Sequence, residues 1–133
     1  MTWAIAIFIP IYWYHEPARQ ESAAARIKQE SMVQGAQIYV TTCVACHQMT
    51  GTGIPGKNLV RIALDEAVLV KTISRGRPGT GRPGTAMPAF SDQEGGPFKQ
   101  FQILDVITFI RAWDQSMLES AAAARNAQLL GKH

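Results

Sequence analysis

Two cysteines stand three positions apart and a histidine follows at once, in Cys43-Val44-Ala45-Cys46-His47. On a helical turn, residues three and four apart share a face, so both thiols and the imidazole address one object. This spacing is the attachment signature for c-type haem. Each thiol adds to one of the two vinyl groups, and His47 meets the iron. These are the only cysteines of the chain, so none remains for a structural disulfide or for a lipid at the N-terminus. The same residue types also build zinc sites and redox CxxC pairs. Zinc asks for four protein ligands, whereas the other histidines, His15 and His133, lie at the two extremities. A thioredoxin-like pair asks for a surrounding βαβ pattern, which the chain lacks.

An electron-transfer haem takes a second axial ligand, commonly a methionine sulfur or another histidine. Five methionines compete. Met1 lies in an apolar N-terminal stretch, and Met32 starts the helix that leads to the motif. Met49 is too near His47 to reach the opposite side easily, and Met117 lies beyond the last amphipathic helix. Met87 alone sits in a loop between two helices, within RGRPGTGRPGTAMPAF. A lone methionine is more often core filler. Here the iron needs a partner, and Met87 is the candidate.

Helical signals surround these residues. Ser31 followed by Gln34 matches a capping box and predicts a helix start ahead of the motif. Gly35 and Tyr39 then share a face, with Cys43 two turns beyond Gly35 on the same stripe. The loop TGTGIPGKN, with Gly51, Gly53, Pro55 and Gly56, rules out a continuing helix and suits close approach to a flat ligand. Asp65 is placed as an N-cap before a stripe of Val68, Leu69, Thr72 and Ile73, and Gly76 as the stop. Over residues 101–113, Ile103, Val106, Ile107, Ile110 and Trp113 recur at steps of three and four, the strongest amphipathic pattern present. The segment QSMLESAAAARNAQLLGKH reads as a helical tail ended by Gly131.

Residues 2–14, TWAIAIFIPIYWY, are apolar and aromatic but interrupted by Pro10 and too short to span a bilayer unaided. Trp3, Tyr12, Trp13 and Tyr14 suit a membrane interface. A peptide packed on its own domain is the plainer alternative. A signal peptide would want basic residues ahead of the apolar part and a small-residue cleavage site after it. A start placed too late, with a basic segment upstream, is a further expectation. Residues 18–30 form a charged spacer of helix formers with Ile27 as its one large aliphatic group. The net charge is +3, concentrated where Lys57, Arg61, Lys71, Arg75, Arg77 and Arg82 face only Asp65 and Glu66. With no basic run and little aromatic interleaving, nucleic acid is excluded as a partner. Arg75, Arg77 and Arg82 suit carboxylates, on haem propionates or on an acidic partner, with a solvated basic loop as the equal alternative.

In order along the chain, GAQIY before CVACH, the loop with Gly51 and Gly53, VLVKTISRG, MPAF at residues 87–90 and ILDVITFIRAW resemble the class I c-type cytochrome family over residues 31–114. The resemblance implies an all-α fold, a small cytochrome c-like helical shell around one covalently bound haem c and its iron. It also implies that Gly35 and Tyr39 cross the last core helix near Phe109 and Trp113, and that Met87 is the distal ligand to His47. One-electron transfer, rather than enzymatic turnover, is the expected activity. The arm at 1–17, the spacer at 18–30 and the extension at 115–133 lie outside the compact family pattern. They make the chain similar to the monohaem subunits of alternative complex III, a membrane electron-transfer complex, with other subunits and redox proteins as partners. The alternatives are a soluble shuttle and a haem enzyme or ligand sensor. Attachment of haem to thiols implies the periplasmic, outer side of the bacterial cytoplasmic membrane. Arg19, Arg26 and Lys28 would then lie on the translocated side, against the positive-inside tendency.

Overall fold

Helix formers dominate residues 18–38, and in a computed structural model of the protein the helix α1 spans Thr2–Ile38 without interruption. The structure describes residues 2–54, 58–81 and 84–131. Pro55, Gly56, Lys57, Arg82 and His133 lie outside the described residues, as do Met1 and the side chain of His15, so the expectations placed on them do too. Contacts divide the chain into two units, Met1–Glu30 and Ser31–His133.

In the first unit the helix passes through both Pro10 and Pro17. Each proline removes one N–H from the helical ladder and crowds the preceding turn. Side chains offset this around Pro17: Arg19 donates to the Tyr12 hydroxyl at 3.0 Å and to Glu16 at 3.0 Å, and its guanidinium lies 5.6 Å from the centre of the Tyr12 ring. Gln20 adds a 3.0 Å bond to Glu16. These contacts are solvent-exposed and individually weak, but together they span the proline turn.

The second unit corrects the expected helix start. Ser31 caps nothing, because α1 is already helical there; its hydroxyl donates to the Asp105 carboxylate instead. A partner 74 positions away in sequence outcompeted the local capping geometry. The ladder also changes after Ile38. Tyr39–Cys43 form a π-turn, closed by the Val44 N–H on the Tyr39 carbonyl five residues back, and a short helix α2 (Val44–His47) follows. The stripe of Gly35, Tyr39 and Cys43 therefore does not continue as regular α-helix.

The other elements follow the sequence pattern closely. Helix α3 spans Glu66–Arg75, with the Asp65 carboxylate accepting from the Ala67 N–H at 3.2 Å and Gly76 ending it at φ 69°. Helix α4 spans Gln100–Ala112 and contributes Ile103, Val106, Ile107, Phe109 and Ile110 to the core. Each such side chain stabilises the fold by about 2 kcal/mol when removed from water, which makes α4 the axis of the unit. Around it pack Ala36 and Tyr39 from the approach to the motif, Leu69 from α3, and Leu118 from α5 (Gln115–Leu130). No strand is present among the described residues beyond two isolated bridges, Arg77 with Met87 and Ser91 with Phe98. The fold is all-α, as expected.

Helix α5 starts on Asp114, whose carboxylate accepts from the Ser116 hydroxyl at 2.6 Å and the Met117 N–H at 3.1 Å. Those two bonds, the hydroxyl's first, hold the Asp114 carboxyl below its usual range. A lowered folded-state value means the support is complete above the unfolded value of about 4 and is lost as pH falls through the lowered one. Amide protection in the first turn of α5, taken relative to the intrinsic exchange rate at each pH, is accordingly expected to fall in acid before that of α4, and equal protection of the two helices throughout an acid titration would contradict it.

Candidate haem site

Gly35 lets the motif's helix lie directly on α4. A Cβ at Gly35 would strike the Asp105 carbonyl oxygen and stand 2.9 Å from the Phe109 Cβ. One turn on, the Tyr39 ring, fully buried, lies 5.7 Å from Phe109 and 5.3 Å from Trp113, the latter edge-on at 87°. Both crossings are those implied by the family resemblance. Aromatic pairs in this geometry add roughly 1 kcal/mol each beyond their burial. The Tyr39 hydroxyl donates to the Gln48 carbonyl at 2.9 Å, tying the chain just past His47 back to the helix before it. Burial, with a smaller contribution from Cys43, pushes the Tyr39 phenol up, so it stays a donor at any ordinary pH.

From this base the π-turn and α2 bring Cys43, Cys46 and His47 together within five residues. Neither cysteine is disulfide-bonded; Cys43 is half-buried and Cys46 exposed. Burial, and secondarily the Cys46 sulfur, pushes the Cys43 thiol up to about 12, so Cys43 keeps its proton at neutral pH. Two glycines close the loop behind them. Gly51, at φ 69°, lies against the Trp113 ring, where a Cβ would come within 2.6 Å of it. Gly53 donates to the His47 carbonyl at 3.0 Å, and a Cβ there would stand 2.7 Å from the Cys46 carbonyl oxygen. The close approaches of these two glycines are thus to Trp113 and to the motif's own backbone.

Met87 is placed by a different element. The Met87 N–H donates to the Arg77 carbonyl at 3.0 Å and the Arg77 N–H to the Met87 carbonyl at 2.9 Å. Beyond it, Phe90 and Ser91 donate to the last carbonyls of α3, on Ile73 and Ser74, at 3.1 and 3.2 Å. Gly76 lies beneath this crossing, where a Cβ would strike the Met87 carbonyl oxygen. The methionine loop is therefore clamped to the end of α3, with the Met87 side chain half-buried. Gly76 was legible as a helix stop; its second duty, making room for Met87, had no local signal. Arg75, expected in the loop, is instead the last residue of α3 and pairs with Glu94 at 3.5 Å, an exposed contact worth little by itself.

The donor set fits a c-type haem. It offers two unbridged thiols and an imidazole on one turn, above a packed aromatic base, and a thioether held by a second element. Among the described residues, no group of three or more His, Cys, Asp or Glu side chains could hold a metal ion. Comparison with known proteins agrees with this fit. The family described as cytochrome c oxidase, cbb3-type, subunit III matches residues 30–110, more than half of the chain. No curated protein and no solved structure matches it.

Proposed function

This chain belongs to the cbb3-type cytochrome c oxidase subunit III family, and we propose that it carries one electron at a time through a haem c that Cys43 and Cys46 would bind and whose iron His47 and Met87 would hold, as a fixed subunit of a membrane respiratory or photosynthetic complex. The family is one of c-type cytochromes, which transfer electrons through covalently bound haem c with its iron. The observation that carries the assignment of residues is the adjacency of Cys43, at the end of the π-turn, to Cys46 and His47 in α2, with Tyr39 of that π-turn packed on Phe109 of α4, together with a methionine whose N–H and carbonyl are both bonded to Arg77.

The bound haem supplies the one-electron iron couple. Within the chain, Cys43 and Cys46 would hold it through thioether bonds, and His47 and Met87 would ligate its iron. A methionine ligand raises the reduction potential relative to a second histidine, and an apolar surround works in the same direction. With both ligands in place, no open position would remain at the iron and no substrate would need to reach it. Met87→Ala is expected to open that position: the reduced variant should bind carbon monoxide rapidly while the native protein does not. Rapid binding by the native protein would instead support a haem enzyme or sensor.

The fixed-subunit reading rests on the segments outside the cytochrome pattern. We assign residues 1–17 to a membrane or partner-binding arm, 18–30 to a spacer, 31–114 to the cytochrome domain and 115–133 to a C-terminal extension. In the arm, Trp3, Ile7, Phe8, Ile9, Ile11, Tyr12, Trp13 and Tyr14 are all exposed. No helix among the described residues is long and apolar enough to cross a membrane. Exposed rings of this kind suit the headgroup region, on the outer face where haem is attached to thiols. Deleting residues 1–17 is expected to release the protein from membranes or from its complex during mild-detergent purification. Retention unchanged would contradict the anchor, and recovery of the intact chain in the soluble fraction, with strongly salt-dependent electron transfer, would favour a shuttle. Alternative complex III is the assembly we propose first, and co-purifying chains would identify it.

A further inference from the structure

The π-turn that delivers Cys43 is the least regular part of α1's continuation, and such turns are costlier than plain α-helix and concentrate at functional sites. Side chains serve carbonyls of the turn and of the helix end just before it. The Thr41 hydroxyl donates to the carbonyls of Gln37 and Ile38, both at 3.0 Å. The Val40 carbonyl, one residue after the oxygen that closes the turn, accepts from Nη1 of Arg125 at 2.9 Å. Arg125 lies on α5, 85 positions away, and α5 packs directly on the π-turn, with Leu118 fully buried and Val40 nearly so.

We infer that Arg125 is a positioning residue for the haem-bearing turn: α5 braces the π-turn through the Arg125 to Val40 bond and so sets how Cys43, Cys46 and His47 are presented. The inference rests on the haem assignment above. A charged donor on a backbone carbonyl makes one of the stronger classes of hydrogen bond, and its loss is felt at the acceptor's own turn. The C-terminal extension thereby has a task inside the cytochrome unit, independent of any partner it meets.

The test uses the full-length, haem-loaded protein with Arg125→Met, which keeps length but not the donor, and Arg125→Lys, which restores one. Arg111→Met is the control, because it removes the same charge from an exposed pair with Glu66 on α3. Amide exchange over residues 39–45 reports the turn, exchange in α4 reports global stability, and the reduction potential with visible circular dichroism reports the haem. Arg125→Met is expected to speed exchange in the turn about tenfold, to leave α4 unchanged and to shift both haem signals, with Arg125→Lys recovering most of the change. Equal acceleration in α4, unmoved haem signals, or the same response from Arg111→Met would each overturn the inference. A wild-type chain without covalent haem would overturn the site assignment instead, and the exchange measurement, which needs no haem, would still decide whether Arg125 braces the turn.

Discussion

A Gly35→Val chain is expected to lose roughly 3 kcal/mol of stability and to melt about 15 °C lower than the native protein. The first added carbon already falls on the Asp105 carbonyl oxygen and within 2.9 Å of the Phe109 Cβ. Neither obstacle is a flexible side-chain end, so relief requires separating α1 from α4. That separation would loosen the contacts of Tyr39 with Phe109 and Trp113 and the Ser31 to Asp105 hydrogen bond together. Gly35→Ala should move in the same direction by less. Thermal unfolding followed by far-ultraviolet circular dichroism checks both, and a Val variant within about 0.5 kcal/mol of native would mean that the crossing is not as close as described.

The largest functional effect belongs to the thiols. Replacing both Cys43 and Cys46 by serine is expected to abolish covalent haem completely, read as loss of haem staining on denaturing gels and as a mass lower by one haem. Each single replacement should leave haem held by one bond, with lower yield, since either sulfur can still react. Cys43 is the half-buried member and Cys46 the exposed one, so Cys43→Ser is expected also to perturb the packing beneath the turn. Haem retained through denaturation in the double variant would overturn the assignment of the attachment site. His47→Ala tests a different bond: the thioethers should persist while the spectrum of the His/Met-ligated iron is lost.

Local pattern and distant partners divided the work along particular residues. Asp65 and Gly76 were legible as the ends of α3 because capping depends on residues within one turn. The α4 stripe of Ile103, Val106, Ile107 and Ile110 was legible because burial on one face imposes a helical period. Ser31 misled for the complementary reason: its serine-to-glutamine spacing satisfied the local rule, while its hydroxyl found the Asp105 carboxylate. The run of α1 through Pro10 and Pro17 escaped the same way, since the Arg19 contacts that accompany it cross the proline turn rather than follow propensity.

By itself the sequence determined the chemistry: CVACH places two thiols and an imidazole at helical spacing, and the order of GAQIY, CVACH, MPAF and ILDVITFIRAW places them in a c-type cytochrome. Those are properties of spacing along one chain, readable without coordinates. Only the tertiary structure decided that Cys43 leaves a π-turn rather than an α-turn, that Gly76 clears the path of Met87, and that Arg125 reaches the Val40 carbonyl. The last two depend on groups well separated in sequence meeting at a backbone carbonyl. A carbonyl carries no residue identity, so no pattern of residue types records which distant side chain or loop will find it.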